Sequence, residues 1–135
     1  MGMYTQARGW LNVNSIGIGN KFKIENLLEE AKETFQGEVD RDWVCHDTVL
    51  HTGNNGSIYL FFGTELKNYD RECEKWIEHL IRYFPNAEGR IDFQYEEERI
   101  GDDKSKYWLI YQGKIKKEGY DHTWCYGYGN QFGDE

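Results

Sequence analysis

At 135 residues the chain fits one domain, able to bury about two-thirds of its unfolded surface. Its formal charge of −8, from 24 acids against 16 bases, sets it against phosphate backbones unless a basic face is held apart. Ten Tyr, seven Phe and five Trp exclude a disordered acidic chain and call for a packed core.

Three cysteines without paired spacing argue against a disulfide framework and for a reducing compartment. The first ten residues, "MGMYTQARGW", lack a signal-length apolar run, and Gln6 stands where a myristoylation signal wants Ser or Thr. No stretch reaches 18 apolar residues. The expectation is a soluble, cytoplasmic protein that makes no use of a membrane.

In chain order, Tyr4 to Val13 reads as a first strand, with Ala7, Gly9, Leu11 and Val13 alternating with Gln6, Arg8, Trp10 and Asn12. "NSIGIGN" breaks it. Phe22, Ile24, Leu27, Leu28, Ala31 and Phe35 then fall on one helical stripe, which Gly37 ends. "WVCHDTVLHT", 43–52, reads as a second strand, "GNNG" as a hairpin turn, and "SIYLFFG", 57–63, as a third strand. Cys73, Trp76, Ile77, Leu80, Ile81 and Phe84 mark a second helix over 69–84, capped by Asn68 or Asp70 and stopped by "PNAEG". Strand four is 90–99, strand five 106–112, and Gly113 opens a short sixth strand, 114–118.

This order predicts an α+β fold of ferredoxin-like type: a βαββαβ antiparallel sheet with two helices on one face. Residues 1–135 then form a single domain, with a core over 3–99, a C-terminal hairpin over 105–118 and an aromatic tail over 119–135. "YEEER", the turn after it and "YWLIYQGK", set on that core, resemble small ferredoxin-like domains of plasmids and phages, including the YubB-type family. The resemblance spans residues 57–117. It implies an origin on a mobile element, a host cytoplasm as the setting and a binding role, and it carries no catalytic residues across.

Candidate chemistry is sparse. Cys45, His46, His51, His122 and Cys125 are zinc-type donors, but their spacing is irregular, and Cys45 and His46 would point to opposite faces of a strand. No metal and no cofactor is therefore expected; a Cys/His enzyme site is the weakest alternative. Acids pair in "EEER" and "GDD", yet a general acid needs burial, and this turn is read as wet. "GIGN" lacks the lysine of a phosphate loop. Around "NGSIYLFF" the RNA-binding pattern matches at Gly56, Tyr59 and Phe62 and fails at Asn55, Ser57 and Ile58, which disfavours direct nucleic-acid binding.

The leading expectation is a non-enzymatic protein-binding module that engages a host or rival protein, as an inhibitor of a defence or nucleic-acid-processing complex. Glu96, Glu97, Glu98, Asp102 and Asp103 would form its acidic recognition edge. The alternative is a small-ligand or nucleotide binder that uses Trp10, Tyr59, Phe61 and Trp124 on the open sheet face. A homodimer sealing that face is a further arrangement.

Overall fold

A computed structural model of the chain describes residues 4–13, 21–36, 43–52, 57–67, 71–95 and 105–120. Strand β1 (Tyr4–Asn12) is followed by helix α1 (Lys21–Gln36), a 3-10 turn (Trp43–Asp47), then strands β2 (Thr48–Thr52) and β3 (Ile58–Lys67). Helix α2 (Glu72–Ile81) precedes β4 (Glu88–Tyr95), β5 (Ser105–Tyr111) and β6 (Lys114–Gly119). The strands form one sheet in the order β2-β3-β1-β4-β5-β6, and every neighbouring pair is antiparallel.

Period-two alternation gives the sheet one dry face and one wet one. Ala7 and Leu11 of β1 lie beside Leu60 and Phe62 of β3 and beside Ile91 and Phe93 of β4, and all six are buried. Ile24, Leu28, Ala31 and Phe35 of α1 join them in one cluster with Trp76, Ile77 and Leu80 of α2. The two helices touch each other. Each large side chain taken from water contributes roughly 1.5–3 kcal/mol, which makes this cluster the main source of stability. Inside it the Trp76 indole N–H donates to Thr48 Oγ1 at 2.8 Å, tying α2 to β2.

The ferredoxin-like βαββαβ description, a core sheet with a hairpin appended, does not hold. The sheet is six-stranded and continuous, with strands outnumbering helices three to one, and β5 and β6 are integral to it. The cause is β5. It pairs with β4 from Gly89↔Ile110 to Gln94↔Ser105 and sends Trp108 and Ile110 into the same core cluster. Trp108 meets Phe93 edge to face at 4.8 Å, so the core reaches past β4. Gln112 and Gly113, both at positive φ, close the tight turn into β6.

Local departures have similar causes. Residues 43–47 are a 3-10 turn rather than the start of a strand, because Val44 and Cys45 are both buried. In a strand, adjacent side chains would face opposite ways. Helix α2 begins at Glu72, after Arg71 in the left-handed conformation with no side-chain capping bond. The capping residues Asn68 and Asp70 lie outside the described residues. Phe22 is 65% exposed and stands off the α1 stripe.

Close approach of β1 to β4 yields a direct test. A Cβ on Gly9 would lie 2.2 Å from the Arg90 carbonyl oxygen, whereas one on Gly63 meets nothing within 4 Å. Gly9→Ala is expected to lose about 1–3 kcal/mol, as overpacked sites do, while Gly63→Ala leaves stability within about 0.5 kcal/mol or raises it. Urea unfolding midpoints of the two variants check this.

Candidate binding face of the sheet

The wet face divides into two halves. Across β2, β3 and β1 it is aromatic. Trp10 pairs with Phe61 in register, and Val49 of β2 lies on the other side of Phe61. Tyr59 and Phe61 stack at 5.9 Å, Trp10 meets Tyr59 edge to face at 6.2 Å, and His51 meets Phe61 likewise at 6.0 Å. Trp10 and Phe61 are each 42% exposed and Val49 is 57% exposed. Strand propensity explains the local geometry: β-branched and aromatic residues tolerate a half-buried pleat, and outward positions repeat every second residue.

Across β4, β5 and β6 the same face is charged. Arg90 sits beside Trp10 in register and forms an ion pair with Asp92, at 3.0 Å from Nη2 to Oδ1. Its guanidinium lies 4.1 Å from the centre of the Tyr107 ring. Lys117 lies 5.9 Å from that ring and Lys67 5.7 Å from the Tyr4 ring. With Arg8, these cations line a face that carries Glu65, Glu88 and Asp92 as its described acids. Arg8 belongs to β1 and Lys67 and Glu65 to β3, so these charges spread over both halves, and the strong negative charge of the chain is not carried by the open face among the described residues.

On the dry side, β5 contributes an ionic group to the core. Lys106 is 5% exposed, with its ammonium 3.9 Å from Glu74 Oε2 of α2 and 3.8 Å from Glu118 Oε1 of β6. The Phe93, Tyr95 and Trp108 rings surround it at 5.0–5.8 Å. The Tyr95 hydroxyl donates to Glu74 at 2.6 Å; the Trp108 indole and the Tyr120 hydroxyl donate to Glu118 at 2.7 and 2.6 Å. Burial pushes the Lys106 amine below its ordinary range, with Glu74 and Glu118 opposing that shift. The two donated hydrogen bonds, from Tyr120 first and Trp108 second, hold the Glu118 carboxyl below the usual carboxylate range. A buried pair of this kind locates its elements relative to one another more than it adds net stability.

Of the residues singled out by sequence, Trp10, Tyr59 and Phe61 come together. Glu96, Glu97, Glu98, Asp102, Asp103 and Trp124 lie outside the described residues, as do His122 and Cys125. Cys45 is buried in the 3-10 turn, while His46 and His51 are exposed, His51 on the aromatic half of the face. Among the described residues no three His, Cys, Asp or Glu gather as a metal would need, and no helix is long and apolar enough to cross a membrane. Val49 was missed, and His51 was read only as a possible metal donor, although both share the parity that places them beside Tyr59 and Phe61. Lys106 was missed too; it alternates with Trp108 and Ile110, which marked it as inward. No protein-family model matches the chain, and no curated protein matches it significantly.

The Glu118 shift gives a pH test with a definite sign. Its folded carboxyl titrates below the ordinary 4.5, so on acidification the unfolded chain takes up the proton first. The stabilisation is present in full above that value and is lost as pH falls through the folded pKa. Glu118→Gln should lower the urea midpoint at neutral pH, and the gap to the parent protein should narrow as the pH is taken progressively below 4.5.

Proposed function

We propose that the chain is a protein-binding module whose working surface is the aromatic half of the open sheet face, with Trp10, Tyr59 and Phe61 as anchors. The observation that carries this reading is the half-exposed ring set spanning β2, β3 and β1. Small-molecule sites are concave and enclose most of their ligand. Trp10 and Phe61, 42% exposed on a sheet face, offer a platform instead. Such a platform suits a macromolecule, and Trp, Tyr, Phe and Arg are the residue types enriched where protein partners bind. The missing basic and aromatic positions of the RNA-binding pattern at Asn55, Ser57 and Ile58 favour a protein over a nucleic-acid strand as that macromolecule.

The acidic stretch from Glu96 to Asp103, which follows β4 in the chain, completes the proposal as the element that steers a basic partner. An origin on a phage or plasmid, with a host or rival protein as the target, is supported by the "YEEER" and "YWLIYQGK" resemblance.

Purification of tagged protein from its native source tests the anchors. The double variant Trp10→Asp, Phe61→Asp should keep its circular dichroism spectrum and lose the protein partner that the parent retains, since buried aromatic anchors are commonly worth 2 kcal/mol or more, about thirtyfold in affinity. Retention of the partner at unchanged affinity would refute the assignment.

A further inference from the structure

The ionic cluster of Lys106, Glu74 and Glu118 joins three elements that are held with very different strength. Glu74 belongs to α2, whose Cys73, Trp76, Ile77, Leu80 and Ile81 are buried in the core. Lys106 belongs to β5, which pairs with β4 and is anchored by Trp108 and Ile110. Glu118 belongs to β6, an edge strand that pairs with β5 alone among the described strands. A register shift between Leu109 and Ile110 interrupts that ladder, and four of the six β6 residues are exposed. Ile115 is partly buried against the core, and Lys117 lies 5.9 Å from the Tyr107 ring. Among the described residues the remaining side-chain attachment of β6 is Glu118. It faces the dry side opposite Trp108, accepts the Trp108 indole N–H and stands 3.8 Å from the buried Lys106 ammonium.

We propose that the Glu118 carboxylate and the Lys106 ammonium form a latch that holds β6 on the sheet, and that β6 opens as a unit when either charge is lost. The two carboxylates differ in their freedom to move. Glu74 is 2% exposed on a helix fixed by the core, whereas the Glu118 side chain is 38% exposed and already meets water. Losing the ionic contact therefore frees β6, the element with the fewest buried side chains, and leaves α2 and β5 in place. Opening changes the edge that the sheet presents. Lys114, Lys116 and Lys117 of β6 protect it from pairing with other chains, and behind them β5 runs from Tyr107 to Tyr111 without a charge.

Acid should work the latch. Around Glu118 stand Lys106, Arg71 and the Trp108 and Tyr120 donors; around Lys106 stand Glu74, Glu78 and Arg71, with the Phe93 and Tyr95 rings from β4. The latched Glu118 carboxyl lies below its ordinary 4.5, so below that value the opened form takes up the proton first and opening becomes easier.

Amide hydrogen exchange of the full chain, corrected for intrinsic rates, tests this. In the parent protein Lys114–Gly119 should exchange faster than β1 and β4, and faster still as the pH is taken below 4.5. Glu118→Gln keeps an acceptor for Trp108 and loses the charge. It should speed β6 exchange by about tenfold or more at neutral pH and remove its acid dependence. Gly9→Ala strains the β1–β4 contact in the latched and the opened form alike, so it should speed exchange in β1 and leave β6 unchanged. If β6 amides exchange at the rate of β1 and follow Gly9→Ala, β6 opens only with the whole domain and the proposal is wrong. Unchanged β6 exchange in Glu118→Gln would overturn it too. Should that variant not fold, the pH series on the parent decides: β6 exchange that does not accelerate below 4.5 overturns the latch.

Discussion

Everything in this structure is hung on β1, which is paired along its length on both sides. It runs against β3 from Tyr4↔Lys67 to Asn12↔Tyr59, and against β4 from Thr5↔Tyr95 to Asn12↔Glu88. A strand bonded on both edges cannot slip by one residue without turning every side chain over. That register fixes Ala7 and Leu11 toward the helices and Trp10 toward water. It also fixes the neighbours of Trp10, with Phe61 on one side and Arg90 on the other. The aromatic and charged halves of the open face therefore meet at β1.

The two faces illustrate two uses of the same side-chain types. On the dry side the Trp108 and Tyr95 rings surround a lysine, and their polar atoms hold the carboxylates that partner it. Those hydrogen bonds tie α2, β4, β5 and β6 into one corner. On the wet side Trp10, Tyr59 and Phe61 touch one another and leave their outer surfaces exposed. Grouped exposed rings are the observation on which the proposed binding role rests. The ionic corner lies at the far side of the sheet from β2, so an opening of β6 leaves the proposed contact surface in place.

The alternation in β1 and β3 was legible in the sequence because period-two patterns need nothing but the local chain. The helical stripes of α1 and α2 were legible for the same reason, with Phe22 as the exception, exposed at the first turn of α1. The 3-10 turn was not, since Val44 and Cys45 carry strand-forming side chains and are both drawn inward only by what packs on either side of them. The size of the sheet was not legible either. "SKYWLIYQGK" looks like an isolated hairpin until Trp108 finds Phe93 and Ile110 joins the common core.

By itself, then, the sequence determined the faces: Trp10, Tyr59 and Phe61 point to the side away from the core because each lies an odd number of residues from the inward side chains of its own strand, Leu11 in β1 and Leu60 and Phe62 in β3. The pairing of Trp10 with Phe61, the placing of Arg90 beside them and the burial of Lys106 between Glu74 and Glu118 were decided by the tertiary structure alone. That β6 stands at an edge is likewise a tertiary fact. The physical reason is range. Local periodicity acts over a few residues, whereas these contacts join positions dozens of residues apart, through a register that no single strand encodes.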